Sequence, residues 1–204
     1  MKSIEGMKEK SYLCDAKLTI NTLKISPMQK VEYCKELLKK TQRSNIERFI
    51  EFITDLGYFE APGSLTHHRY KGGLVSHSLE TYTEAMKLRS QKIAKGVDPN
   101  LLPVESVIIA SLMHDLCKAD ELRFDVDRRR VYSIISKYEG HSQKSVTQLA
   151  KAGFVLTDEE KSAILWHMGG KRFKEDRRTF FSKHPLAEII FYADKYSIKN
   201  RHKK

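Results

Sequence analysis

Apolar positions recur along this chain at spacings of three and four residues, as in helices that bury one face. Met28, Val31, Leu37 and Leu38 mark such a side in a helix that Ser26 caps and Pro27 opens, running to about Lys40. Ile46, Phe49, Ile50 and Ile53 repeat the pattern from about Ser44 to Leu56, and Gly57 stops it. Residues 57–73 are rich in Gly and Pro and read as a loop. Beyond it, Leu74, Leu79, Tyr82, Met86 and Ile93 mark a third helix over about 74–94. The next is predicted from Pro103 to about Lys118, and its stretch 107–113 is apolar nearly all round, as in a buried central helix. The period then changes. Over 122–136, Arg-Phe-Asp-Val-Asp, three arginines and Val-Tyr-Ser-Ile-Ile read as two short strands around a basic turn. Helices are predicted again over about 142–152, closed by Gly153, and over 158–168, opened by the capping box Thr157-Asp158-Glu159-Glu160 and ended by Gly169-Gly170. The last, over about 185–198, follows His184-Pro185. The expected fold class is all-α, a helical bundle with one small β-hairpin. A helical extension at 1–43 is expected to precede the main domain at 44–204.

A chain of 204 residues buries a proper core without disulfides or a structural metal. A hydrophobic share of 40% with 31% charged residues excludes general disorder, leaving only the ends, through Lys10 and from Lys199, as loose segments. No stretch reaches the roughly 18 apolar residues expected of a membrane span, and the N-terminus lacks the pattern of a signal peptide. Cys14, Cys34 and Cys117 are odd in number and never C-x-x-C, which points to a reducing compartment and a cytoplasmic protein. The formal charge of +11 invites a polyanionic partner, such as a nucleic acid, a nucleotide or another phosphate. Because the cations are scattered over helix faces, a solvated surface accounts for them equally.

The chemistry lies where polar, metal-capable residues interrupt apolar faces. His114 and Asp115 are expected within the most apolar helix, where an unpaired carboxylate costs several kcal/mol and needs a cation. Alone, the dipeptide reads either as metal ligands or as a satisfied core pair. Asp194 shares a helix face with Leu186 and Ile190, so it points inward. His167 follows Ile164 by three, His141 begins a helix after Gly140, and His77 lies one turn beyond Leu74. Five helices thus each contribute at an inward or terminal position, and one shared metal site explains them better than five separate core residues. Bundles do hold metals this way. Mixed imidazole and carboxylate donors suit Fe, Mn, Zn or Co, and the lack of thiolate argues against a structural zinc.

The order His77, His114-Asp115, Asp194 resembles the HD-domain phosphohydrolase superfamily. The segments Gly72-Gly73-Leu74-Val75-Ser76-His77-Ser78 and Leu112-Met113-His114-Asp115-Leu116-Cys117-Lys118 look like its first two motifs. Gly140-His141-Ser142 and Ile164-Leu165-Trp166-His167-Met168 look like the extra histidine motifs of its two-metal members. The resemblance covers about residues 45–200. It implies an HD-domain bundle with two divalent ions, iron or manganese first, and zinc, cobalt, nickel or magnesium as alternatives. His77, His114, Asp115 and Asp194 would hold one ion. Asp115 would bridge to a second, held by His141 and His167. The implied reaction is hydrolysis of a nucleotide-like phosphoester by a metal-bridged hydroxide.

Lys118 follows His114 by four and Asp115 by three, and resembles the lysine of the family's His-Asp-x-x-Lys variants. It is expected to meet a phosphate oxygen, its bland alternative being a surface lysine past a helix end. The loop His67-His68-Arg69-Tyr70-Lys71 is expected to line the substrate cleft, with His68 and Arg69 as substrate-binding residues, or else to be an ordinary exposed loop. Arg128-Arg129-Arg130 reads as a solvated turn, Trp166 and Cys117 as core residues beside ligands, and His184 and His202 carry no expected role. The stretch from His68 to His77 also resembles an HD-type 3′-to-5′ exoribonuclease family, without the oligonucleotide-binding domain that accompanies it there. The leading expectation is an enzyme acting on a small phosphorylated substrate, a nucleotide first, with no membrane partner. RNA is the alternative substrate. A catalytically weak sensor or partner-binding domain that keeps the metal as structure is the third reading.

Overall fold

The computed structural model describes residues 25–125, 127, 130–134, 140–169 and 176–199. Cys14, Arg128, Arg129, Gly170, His202 and both expected loose ends lie outside the described residues. Helix α1 spans Pro27–Lys40, and its start is a reciprocal cap in which Ser26 Oγ accepts from Gln29 N while Gln29 Oε1 accepts from Ser26 N. Its buried side is Cys34, Leu37 and Leu38. Met28, expected on that side, is 77% exposed. At about 3.6 residues per turn it sits well round the helix from Cys34 and Leu38. Helix α2, Ile46–Asp55, starts later than expected because Asn45 takes a left-handed conformation in front of it.

Helix α3 spans Gly73–Ala94, and a 3₁₀ turn at Pro99–Leu101 leads into α4, Val104–Met113. Here the expectation of one helix to Lys118 fails. Past Met113 the hydrogen bonds tighten to an i to i−3 pattern, Leu116 N to Met113 O at 3.2 Å and Lys118 N to Asp115 O at 3.0 Å. The short helix α5, Lys118–Glu121, follows. His114 and Asp115 therefore stand at the exit of α4 rather than inside a continuous helix. Strands β1, Leu122–Phe124, and β2, Val131–Ser133, pair antiparallel with Arg123 opposite Tyr132, as the change of period predicts. Helices α6, His141–Lys151, and α7, Asp158–Trp166, come next, and α7 begins with the expected capping box between Thr157 and Glu160. Helix α8, Arg177–Lys183, has no counterpart in the sequence reading. Asp176 caps it by accepting from Thr179 N at 3.0 Å, and Phe180 stacks on Trp166 with ring centroids 3.8 Å apart. Helix α9 spans Pro185–Lys199.

The chain is thus all-α with one small hairpin among its described residues. Helix α4 is the axis, packed against α1, α3, α7 and α9, which is why its residues are apolar on every side. Val107, Ile108, Ile109, Leu112 and Met113 have no exposed surface. Each such side chain contributes about 1.5–3 kcal/mol by leaving water. By length and mean apolar content alone the stretch Pro99–Glu121 passes for a membrane-crossing helix, but 78% of its most apolar window is buried inside the structure, as in a core helix. Cys34, Leu37 and Leu38 belong to the same core cluster, so α1 is continuous with the body from which the 43/44 boundary would divide it. Cys34 and Cys117 are free thiols.

Candidate metal centre

All six sequence-picked ligands converge. His77 comes from the first turns of α3, His114 and Asp115 from the exit of α4, His141 from the start of α6, His167 from the residue after α7, and Asp194 from α9. His77, His114, Asp115 and His167 are buried, each 3% exposed or less. The centre of the arrangement is Asp115. Its Oδ2 lies 3.4 Å from His77 Nε2 and 3.2 Å from His114 Nε2, while its Oδ1 lies 3.2 Å from His141 Nε2 and 3.5 Å from His167 Nε2. Asp194 Oδ1 joins the first group, 3.1 Å from His77 Nε2 and 3.8 Å from His114 Nε2.

Local structure turns each ring the same way. The tightened turn after α4 lets Ser111 O accept from His114 Nδ1 at 2.9 Å. At the end of α7, Ile164 O accepts from His167 Nδ1 at 2.7 Å. Ser197 Oγ donates to Asp194 O and lies 3.4 Å from His77 Nδ1, whose proton it is placed to accept. His141 Nδ1 faces Cys117 Sγ at 3.3 Å and Glu121 Oε2 at 3.4 Å. In all four rings the Nδ1 edge is engaged by an outer acceptor and the Nε2 edge faces the carboxylates, the arrangement by which proteins orient metal-binding histidines.

The polar atoms satisfy one another poorly without a cation. Asp115 Oδ1 and His167 Nε2 are buried with no hydrogen-bond partner, despite lying near each other, because the approach is misaligned. His77 Nε2 and His114 Nε2 face each other at 3.3 Å, two atoms that are both acceptors in the tautomers set by Ser197 and Ser111. A divalent cation would resolve both problems, and the trios His77–His114–Asp194 and His114–Asp115–His167 each bring their donor atoms within 4.8 Å of one another. The residues fit a metal centre of nitrogen and oxygen donors. Cys117 meets the Nδ1 edge of His141 at 3.3 Å, and its sulfur, Asp115 and His141 also bring their donor atoms within 4.8 Å of one another.

The electrostatics agree. Burial alone would push the Asp115 carboxyl up, but Lys118 and the His114 ring outweigh it and hold the group well below the usual carboxylate range. Burial likewise opposes ionisation of Asp194, and a hydrogen bond from His77 in its charged, doubly protonated form brings it down to about 2. Burial disfavours charge on His141, yet Asp115, Cys117 and Glu121 together push it up to about 12. Burial dominates at His114, which is lowered. Two retained negative charges, drawing protons onto neighbouring imidazoles, are the field that a cation would answer.

Lys118 is a partly buried partner of the centre rather than the surface lysine of the alternative reading: its Nζ lies 2.5 Å from Asp115 Oδ2 and its side chain is 14% exposed. The loop before α3 divides. His68 is buried, with Nε2 3.0 Å from Glu80 Oε2 and Nδ1 2.9 Å from His67 Nδ1, so both ring nitrogens are engaged and the expected substrate-binding role does not suit it. Arg69 is exposed and lines a separate cleft of about 620 Å³ with Tyr70, Arg123 and Phe124, a cleft lined by none of the six ligands. The rings of His67 and His68 both stand beside the centre, 5.4 and 5.2 Å from the His77 ring. Sequence reasoning placed His67 in the loop expected to line the substrate cleft, without a role of its own, and missed Ser197 and Glu121 as outer partners. Glu121 had a signal, an acid beside the ligand helix, but nothing marked it as buried. Trp166 and Cys117 are core residues, as expected, and His184 makes a surface pair with Glu159 at 3.0 Å. Compared with protein-family models, with curated proteins and with solved structures, the chain matches none, so its own geometry carries the functional reading.

Proposed function

We propose that this protein is a two-metal phosphohydrolase of the HD type that acts on a nucleotide-like phosphoester. One observation carries the reading: the two oxygens of Asp115 face two different pairs of histidine Nε2 atoms, as a carboxylate shared between two ions requires. His77, His114, Asp115 and Asp194 would hold one ion, and Asp115, His141 and His167 the other. When bound, the pair supplies Lewis acidity toward a phosphoryl oxygen and lowers the pKa of water.

The chain's own residues do the rest. Ser111, Ile164 and Ser197 fix ring orientation through the Nδ1 edges. The walls of α3, α4 and α9 exclude bulk water, which strengthens every charge interaction inside. Lys118 balances Asp115 and presents a positive charge at the edge where a phosphate would arrive; burial opposes its charge, but Asp115 raises its pKa further still.

The test is a turnover screen of the purified chain loaded with Mn, Fe, Co, Ni or Mg against nucleotides, cyclic nucleotides and short RNA, with metal content measured beside it. Two ions per chain and hydrolysis of a nucleotide are expected. Full loading with no turnover on any phosphoester would leave a structural or sensory metal site instead.

A further inference from the structure

The loop that precedes α3 is held in a form that costs free energy locally. His68 has a positive φ of 51°, in the left-handed region that a side chain normally avoids. Two glycines make room for it. A Cβ on Gly73 would stand 1.9 Å from His68 O, and one on Gly63 would stand 2.7 Å from His68 Cβ. Gly63 N donates to His68 O at 2.9 Å and closes the loop on itself. Strain of this kind costs of order 1–3 kcal/mol and persists where the surroundings enforce it, most often at a site that uses the resulting placement.

What the strain places is a chain of three side chains ending at the metal centre. Glu80 Oε2 accepts from His68 Nε2 at 3.0 Å. In a neutral His68 the Nδ1 is then an acceptor, and it takes the proton of His67 Nδ1 at 2.9 Å. His67 Nε2 is left as an acceptor. Its ring is half-buried and 5.4 Å from the His77 ring. His68 is 3% exposed, with its ring 5.2 Å from the His77 ring and both nitrogens engaged, and His67 is the more exposed of the two.

We infer that His67 is a further catalytic residue, whose Nε2 accepts a hydrogen bond from the attacking water, and that His68 and Glu80 are positioning residues that fix its tautomer and direction. The inference rests on the phosphohydrolase reading, because water is the second reactant of any hydrolysis and must be oriented as well as activated. It reassigns the loop: His68 supports, and His67 touches the reacting atoms.

The experiment compares wild type, His67→Asn, His67→Gln and Glu80→Ala, each loaded with manganese, on p-nitrophenyl phosphate and bis(p-nitrophenyl) phosphate. Asn keeps a group near the Nδ1 position but cannot reach as far as Nε2, whereas Gln places an oxygen there. His67→Asn should lower kcat by about tenfold or more, with KM within twofold and metal content unchanged, and His67→Gln should recover part of the loss. Two-bond proton–nitrogen correlation spectra of the metal-free protein should show His67 protonated on Nδ1 in wild type and as a tautomer mixture in Glu80→Ala. A wild-type ring protonated on Nε2, full activity in His67→Asn, or loss of metal from it would each overturn the inference. A metal-loaded wild type that hydrolyses neither ester would sink the phosphohydrolase reading and the water-orienting role together. An active wild type with an unimpaired His67→Asn sinks the role alone.

Discussion

Because the oxygens of Asp115 face different histidine pairs, its removal acts on both halves of the centre at once. Asp115→Ala should abolish turnover and bring bound metal to near zero, whereas His141→Ala should keep the first ion and lose mainly the second. Elemental analysis of the two variants separates these outcomes, and an Asp115→Ala protein that keeps most of its activity would end the shared-carboxylate mechanism. A second residue-scale expectation concerns Gly73, where an added methyl group meets the His68 carbonyl at 1.9 Å. Gly73→Ala should cost about 1–3 kcal/mol, as overpacking does, read as a lowered urea midpoint. An unchanged midpoint would mean the loop yields freely and is not under strain. The six candidate ligands were legible because each is a metal-capable residue at an inward or terminal helix position, as Asp194 is one turn after Ile190. His67 was not, because residues 57–73 have no hydrophobic period and its approach to His77 depends on glycines that let two backbone segments touch. Ser197 was equally hidden, since a serine one turn past Asp194 looks like any helix-surface residue until the His77 ring is seen against it.

Helix α4 shows why some elements could be read and others could not. Its continuous run of Val, Ile, Leu and Met has no polar face, which predicts contact on all sides, and the packing against α1, α3, α7 and α9 supplies it. Ile109→Ala should therefore cost about 2–5 kcal/mol, the range for a large-to-small change in a closed core, measured by chemical denaturation. A loss below about 1 kcal/mol, no more than mild Ile→Val changes cost, would mean that α4 is not the axis of the core. The exit of α4 was misjudged because a helix that tightens from i−4 to i−3 bonds leaves no mark in residue type. That tightening nonetheless positions the Ser111 carbonyl for His114 and leaves the Leu112 carbonyl to accept from the Tyr58 hydroxyl at 2.7 Å. Helix α8 was missed for another reason. It is only seven residues long, and its two buried phenylalanines find their partners, Trp166 and Phe191, on other helices.

At the scale of the whole molecule, the positive charge distinguishes two kinds of substrate. The small-substrate reading needs no basic track for a polymer, and some basic residues are tied into ion pairs, such as Lys39 with Glu47 and Lys144 with Asp120. A mononucleotide should therefore show a Michaelis constant that changes little as potassium chloride rises. A bound RNA would instead weaken steeply, since each neutralised phosphate releases counterion. Tight RNA binding with a steep slope and 3′-end trimming would replace the small-substrate reading with an exoribonuclease. The packing of α7 against α8 has an optical consequence. The chain holds one tryptophan, and Trp166 is only 4% exposed, stacked on Phe180 and adjacent in sequence to His167. Tryptophan emission thus comes from a single shielded ring beside the second of the two proposed ions. Cobalt or manganese, with unpaired electrons, should quench that light mainly as the second equivalent binds, whereas closed-shell zinc should leave it bright. A fluorescence titration would then count the ions in the order in which they arrive, and quenching complete at the first equivalent would assign His167 to the tighter site.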